Sequence, residues 1–306
     1  MRVLVSGASG LIGKALVPTL VKAGHQVVRL VRDRTAAAAD EVAWSPEDGR
    51  LDPHDLEGVD GVVHLAGEPI LGRWTAAKRA RIRDSRVAGT ALLARTLARL
   101  APRPRVFVCA SASGYYGDRG DEVLTEESSA GTGFLSDVCR EWEAAALPAR
   151  EAGLRVVWVR TGLALAQGGG LLGTLLLPFR LGLGGPIGRG HRFWSWIAID
   201  DLVDVFRFAL ESHTLSGPVN GVAPNPVSNA EFANTLGRVL ARPAFLPVPP
   251  AALRLAFGRE AANEAMLASA RLVPARLLAG GFRFRFPELE GALRHILHLR
   301  PITDNR

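Results

Sequence analysis

Lysine and tyrosine are nearly absent from this 306-residue chain: Lys14, Lys22 and Lys78 are the only lysines, and the neighbours Tyr115 and Tyr116 the only tyrosines. All three lysines precede both tyrosines, so a mechanism that needs a Tyr four residues before a Lys is excluded by inspection. Cysteine is scarce too. Cys109 and Cys139 form no CxxC pair, no metal-ligand spacing and no disulfide framework, which fits a reducing compartment and predicts no bound metal. The apolar run over 171–187 is broken by Pro178, Arg180 and several glycines, so it does not read as a membrane span. The amino terminus has an early Arg but no small-residue cleavage site, unlike a signal peptide. These absences predict a soluble, cytoplasmic protein with no membrane partner.

What is present suits a packed core. Hydrophobic residues make up 48% and charged residues 22%, with a mean hydropathy of +0.13, which excludes a disordered chain. A globule of this length buries about three quarters of its unfolded surface. The net charge of +7 is concentrated: between Arg73 and Arg105 ten basic residues face the single acid Asp84. Neither aromatic nor zinc-finger signatures accompany that stripe, so nucleic acid is not expected. A solvated helical face is the plain reading and an anionic small ligand the functional one.

The first thirty residues read as strand, Gly-rich turn, helix and strand: 2–6, GASGLIG at 7–13, 14–23, then 26–31 after Gly24. Further apolar, β-branched runs at 61–65, 105–110 and 154–160 alternate with helix-compatible stretches at 75–100 and 136–150. That alternation predicts an α/β fold, a Rossmann-type doubly wound parallel sheet covered on both faces. The glycine-dense stretch 167–190 is expected to be loop-rich and on the substrate side. Residues 193–212 return to strand then helix, with Asp200 or Asp201 as its cap, and the alternating Phe282, Phe284 and Phe286 predict one half-buried strand. The expected partition is a Rossmann domain over 1–165 plus 196–223, and a substrate-side region with a smaller C-terminal domain over 166–195 plus 224–306.

Gly7, Gly10 and Gly13 sit where a first strand turns into a helix. Glycine there allows the tight turn, close backbone approach to a pyrophosphate, and helix-to-sheet packing. The residues expected along the cofactor at this turn are Gly7, Ser9, Gly10, Leu11, Ile12 and Gly13. At the end of the second strand the sequence reads VRLVRDR. An acid there would hold the ribose 2′-hydroxyl of NAD, whereas Arg suits a 2′-phosphate. Val31, Arg32 and Arg34 therefore point to NADP(H), with Asp33 keeping NAD(H) open if the strand runs one residue longer.

With these residues in place the chain resembles the extended short-chain dehydrogenase/reductases. It resembles more closely their atypical NADP-binding "epimerase family" branch, which ends in a small C-terminal domain. The resemblance rests on GASGLIG (7–13), HLAGEPI (64–70), DSRVAGT (84–90), SASGYYGD (111–118), RTGLAL (160–165) and PFRLGLGGPIGRGHRFWSWIAIDDL (178–202). It implies that Leu65, Ala66 and Gly67 pass beneath the cofactor with Glu68 nearby, and that Arg86 faces it from the next helix. The plain alternative for Arg86 is one more member of the basic stripe.

The wider superfamily uses a Tyr-x-x-x-Lys pair with a Ser or Thr. A phenol of pKa near ~10 must exchange a proton as hydride moves, and an ammonium about 4 Å away lowers that pKa by roughly three units. In the window 131–145 this chain has Phe134 or Leu135 at the Tyr position and Val138 or Cys139 at the Lys position. Ala112 stands at the hydroxyl position. The remaining catalytic candidates are Ser111, Ser113, Tyr115 and Tyr116, each with a structural alternative: turn hydroxyls for the serines, aromatic packing for the tyrosines. Ser111 also belongs to the expected cofactor contacts. His191, Arg192 and Trp194 are the substrate candidates, as an anion clamp and a stacking ring, or else as rim and core residues, and Trp196 shares that choice. The expected function is an NADP(H)-dependent oxidoreductase or epimerase acting on a small, sugar-nucleotide-like substrate. The alternative, motivated by the missing Tyr and Lys, is a non-catalytic NADP(H)-binding protein, a redox reader or assembly partner; the resemblance adds plant and cyanobacterial relatives linked to division.

Overall fold

A computed structural model describes residues 1–32 and 40–299 of the chain. β1 (Arg2–Ser6), α1 (Leu11–Lys22) and β2 (Gln26–Val31) form the opening βαβ unit, followed by β3 (Glu41–Ala43), β4 (Gly61–His64), α2 (Ala76–Arg99) and β5 (Val106–Ala112). Next come β6 (Val123–Leu124), α3 (Phe134–Ala144), α4 (Leu147–Glu151), β7 (Arg155–Thr161), β8 (Leu163–Leu165), α5 (Gly170–Arg180), β9 (Phe193–Trp194), β10 (Trp196–Ala198), α6 (Ile199–Glu211) and β11 (Gly217–Gly221). The chain continues through β12 (Val227–Ser228), α7 (Asn229–Leu240), α8 (Pro250–Phe257), α9 (Arg259–Ala261), β13 (Arg271–Leu272), α10 (Ala275–Ala279) and α11 (Leu289–Ile296).

Seven strands make one parallel sheet in the order β3-β2-β1-β4-β5-β7-β11, the doubly wound Rossmann arrangement. Its strands are near-continuous apolar runs because both faces are covered. Val3, Val5, Val63, Val108 and Val159 pack against Leu16 and Leu20 of α1 and Phe206 of α6. Leu4, Val62, Phe107, Cys109 and Trp158 point the other way, to Leu93 and Leu97 of α2 and Ala149 of α4. Strand order reverses between β1 and β4, so the crevice for a ligand opens at their carboxyl ends. A separate cluster formed by α5, α7 and α11 around Trp196 and Phe232 is the core of the small C-terminal unit. Among the described residues no helix is long and apolar enough to cross a membrane.

Three local expectations are corrected. Phe282, Phe284 and Phe286 belong to no strand. Their segment is held instead by the buried Asp201 carboxylate, which accepts the amides of Arg285 at 2.8 Å and Phe286 at 2.9 Å. Asp200 and Asp201 are not the cap of α6, which begins after Ala198; both lie in its first turn. The glycine-dense stretch also hides α5, eleven residues long with Pro178 inside it, because Leu172, Leu176 and Phe179 bury one face.

The basic stripe lies largely on α2, whose end is capped by Thr75 Oγ accepting from the Lys78 amide. Lys78 and Arg81 pair with Glu68 at 2.7 and 3.5 Å, Arg79 with Glu260 at 3.1 Å, and Arg83 with Glu141. Partners distant in sequence therefore neutralise part of a charge run that looks unopposed when read linearly.

Candidate functional site

Two turns meet at the carboxyl ends of β1 and β4. Gly7 has φ +68°, and a Cβ there would lie 2.8 Å from the Ala66 nitrogen, so the turns touch backbone to backbone. A Cβ on Gly13 would lie 2.3 Å from the Gly7 oxygen, which leaves no room for any side chain between turn and helix. Ser9 and Gly10 are exposed, with Leu11 and Ile12 half-buried behind them. Gly10 is the N-cap of α1, with no side-chain cap bond and no acid in the first turn. Those uncapped amides and the positive end of the helix suit an anion, and glycine leaves the approach open. At the end of β2, Val31 is half-buried and Arg32 exposed, so a guanidinium is free to meet an anion there. Arg34 and Asp33 lie outside the described residues.

The second turn is tied from below. Ser6 Oγ accepts the amides of Leu65 at 3.1 Å and Ala66 at 3.3 Å and lies 2.6 Å from His64 Nδ1. Gly67 is exposed and packs on the Arg86 guanidinium: a Cβ there would sit 3.2 Å from Arg86 Cζ. Arg86 Nη1 donates to the carbonyls of Glu68 and Ile82, both at 3.0 Å, and its Cζ lies 5.0 Å over Trp142. Burial lowers the Arg86 pKa from its ordinary value. The structure thus places Arg86 as a prop for the turn of Leu65, Ala66, Gly67 and Glu68. The hydrogen bond from Lys78 holds Glu68 below the usual carboxylate range.

The catalytic candidates fall into two groups. Ser111 is buried and donates to Glu143 Oε1 at 2.7 Å. Glu143 also accepts Arg160 Nε at 2.8 Å and Nη2 at 2.9 Å, a bidentate pair across α3 and β7. Arg160 Nη1 donates at 2.9 Å to Tyr116 Oη, which in turn donates at 2.7 Å to Asn220 Oδ1. Burial pushes the Tyr116 phenol up to about 12, against the opposing influence of Arg160. Burial alone would lower Arg160, but the Glu143 carboxylate holds its pKa above the ordinary value. Ser111 and Tyr116 are therefore committed to an interior network. Ser113 and Tyr115 are half-buried at the end of β5, and neither side chain makes a hydrogen bond among the described residues. The Tyr115 ring carries the Arg160 guanidinium 3.4 Å above its centroid.

Among the residues at the positions of the absent pair, Leu135 packs on Gly114 and Cys139 Sγ lies 3.8 Å from the Ala112 carbonyl. Burial pushes the Cys139 thiol up to about 12, so it stays protonated at neutral pH. The start of α3 is closed from the C-terminal unit: Glu264 accepts the amides of Phe134 at 3.0 Å and Leu135 at 2.8 Å, beside Gly133 at φ +107°.

Of the substrate candidates, His191 is exposed and Arg192 Nη1 pairs with Asp118 Oδ2 at 3.1 Å. Both border a cavity of about 520 Å³ with Gly120, Asp121 and Ser269. Trp194 is buried in the C-terminal core, edge-on to Phe232 at 5.1 Å, and offers no face for stacking a ligand. Trp196 is fully buried and donates to the Asn225 carbonyl at 3.0 Å. Sequence reasoning missed Ser6, His64, Glu143, Asn220 and Glu264. A polar residue closing an apolar strand, as in GVVH at 61–64, was the available signal.

Comparison with known proteins agrees with this geometry. The "NAD dependent epimerase/dehydratase family" matches residues 3–220, and a domain of unknown function, DUF1731, matches 248–296. The chain is 44% identical over 292 residues to "Epimerase family protein Mb2239" of Mycobacterium bovis, covering 95% of this chain and 96% of that one. The crystal structure of human epimerase family protein SDR39U1 (isoform2) with NADPH superposes with a TM-score of 0.89 at 39% identity, covering 97% and 99% of the two chains. A nucleoside-diphosphate sugar epimerase from Corynebacterium glutamicum gives 0.80 at 40% identity, over 97% of this chain and 58% of that one.

Proposed function

Because the chain belongs to the NAD dependent epimerase/dehydratase family, we propose that it binds NADP(H) at the carboxyl ends of β1, β2 and β4. We propose further that it acts as an oxidoreductase or epimerase on a small, anionic, sugar-nucleotide-like substrate. The observation that carries the cofactor reading is the uncapped, acid-free start of α1 behind glycines that admit no side chain, with Arg32 exposed at the end of β2. The α1 amides hold the pyrophosphate, Arg32 holds the 2′-phosphate, and the Gly67 turn, propped by Arg86, lies beneath the cofactor. When bound, the nicotinamide supplies hydride chemistry. The relative crystallised with NADPH and the sugar epimerase relative support the cofactor and substrate class respectively.

Proton exchange falls to Ser113 and Tyr115, the candidate hydroxyls that the interior network leaves unoccupied. His191 and Arg192 meet the substrate at the rim, where Asp118 already pairs Arg192 and an anion would compete for it. Fluorescence titration tests the cofactor reading. NADPH is expected to bind more tightly than NADH, and Arg32→Glu to weaken NADPH by roughly ten- to a hundredfold, the worth of a charge-assisted phosphate contact. Equal affinity for both cofactors in the parent protein refutes the assignment.

A second reading, a non-catalytic NADP(H)-binding protein, is favoured by one observation: Ser111 and Tyr116 are bonded inward, while Phe134 or Leu135 and Val138 or Cys139 stand at the relay positions. Stopped-flow absorbance of bound NADPH across sugar nucleotides and small carbonyl compounds separates the two. Oxidation with any of them, lost in Tyr115→Phe or Ser113→Ala, supports the enzyme; a cofactor that stays reduced throughout supports the reader.

A further inference from the structure

His64 is fully buried at the end of β4, in register with Ser6 at the end of β1, where the sheet changes direction. A hydroxyl has two lone pairs and one proton. The Ser6 oxygen spends its lone pairs on the amides of Leu65 and Ala66, so its proton goes to His64 Nδ1, 2.6 Å away. The ring is then the neutral tautomer with its proton on Nε2. That Nε2 is buried and has no hydrogen-bond partner among the described residues. Its surroundings are apolar: Trp44 edge-on at 5.9 Å, Phe107 at 6.3 Å, and Gly89, where a Cβ would lie 3.6 Å from Cε1.

An unpaired donor in such a slot costs free energy, and an aliphatic residue would pack there without that cost and suit a strand better. What the imidazole provides is an acceptor for the Ser6 proton. Without it the hydroxyl proton loses its acceptor, and nothing then fixes the rotation of the oxygen that holds the two amides. The Leu65–Ala66 turn would then be held to β1 here only by the 3.3 Å backbone bond from Leu65 to the Ser6 carbonyl, just where the missing Gly7 Cβ lets the two turns touch.

We propose that His64 is a positioning residue for the dinucleotide: through Ser6 it fixes the turn at Leu65 and Ala66 against the Gly7 turn, and so sets the width of the crevice that receives the cofactor. This rests on the NADP(H) reading above. The ring itself touches no ligand and donates no proton to one.

NADPH affinity of the full chain is measured for the parent protein, Ser6→Ala, His64→Leu, the double variant and His64→Asn, whose amide oxygen replaces Nδ1 as acceptor. His64→Leu and Ser6→Ala are each expected to weaken NADPH about tenfold, with the double variant no weaker than either, because both break one connection. His64→Asn is expected to restore affinity to within about threefold of the parent, which a purely space-filling role would not produce. Unchanged affinity in His64→Leu, or multiplicative losses in the double variant, overturns the proposal. A parent protein that fails to bind NADPH overturns the cofactor reading itself, a distinct result. Should His64→Leu not fold, nitrogen-15 NMR of the parent decides: a neutral ring protonated on Nε2 at pH 7 supports the proposal, and a proton on Nδ1 overturns it.

Discussion

Replacing Glu143 by glutamine removes the carboxylate that pairs with Arg160 in the interior network. The carboxylate accepts three bonds at 2.7, 2.8 and 2.9 Å, and the Arg160 and Glu143 side chains are 4% and 14% exposed. Glutamine keeps one oxygen but turns an NH₂ group toward a guanidinium that also only donates, so one contact becomes donor against donor. Leaving one member of a buried pair uncompensated typically costs ~3–5 kcal/mol. At ~2 °C per kcal/mol for a chain of this size, the melting temperature of the cofactor-free protein is expected to fall by about 6–10 °C. The decisive comparison is Glu143→Leu with Arg160→Met, which removes both charges and replaces them with apolar volume. That double variant is expected to recover more than half of the loss, because the penalty lies in the isolated charge and not in the missing contact. Thermal unfolding followed by tryptophan fluorescence measures both. A glutamine variant that melts with the parent, or a double variant as damaged as the single, refutes the view that this network is a closed, mutually neutralising interior unit.

Other outcomes follow from the same structure. His64 is held neutral by burial, its pKa lowered from 6.5 to about 3. Above pH 6.5 neither the folded nor the unfolded chain protonates it. Below that, the unfolded chain takes up a proton that the folded site refuses until about pH 3, so stability falls as pH falls through the window. The contribution approaches ~1.4 kcal/mol per pH unit, and His64→Asn should flatten that part of a urea-midpoint profile. Gly13→Ala puts a Cβ 2.3 Å from the Gly7 oxygen, and overpacking of ~1–3 kcal/mol at that turn should weaken NADPH roughly tenfold or more by titration. Tyr116→Phe strands Asn220 Oδ1 and leaves Arg160 Nη1 with only its 3.4 Å bond to the Glu126 carbonyl, and should lower stability by ~1–3 kcal/mol in urea unfolding.

The parts of this molecule that were legible in sequence are those whose cause is local. Gly7, Gly10 and Gly13 obey a turn-to-helix requirement spanning seven residues, and the apolar strands declare a sheet buried on both faces. The interior network was illegible because its bonds join residues far apart in the chain: Arg160 to Tyr116 across 44 positions and Tyr116 to Asn220 across 104. Tyr116 looked available because no linear rule shows that its hydroxyl is spoken for twice. Trp194 looked like a ligand platform because it follows His191 and Arg192, yet strand alternation turns its ring into the core. The alternating phenylalanines mimicked a strand, whereas the bonds that fix their backbone come from Asp201, more than eighty residues earlier.

The carboxylate of Glu264 at the start of α3 bears on the order in which the protein can be built. Residues 134 and 135 leave the ribosome long before residue 264 does, and until then the amides that Glu264 will accept face water. The same holds where Asn220 waits for the Val273 carbonyl and β6 for β13. During synthesis the two cofactor turns can meet once Leu65 and Ala66 have emerged to reach Ser6, while the substrate side stays unfinished until the C-terminal unit arrives. The nascent chain should therefore acquire nucleotide affinity before it has a complete cleft, and a bound dinucleotide would hold the first half ready for the second.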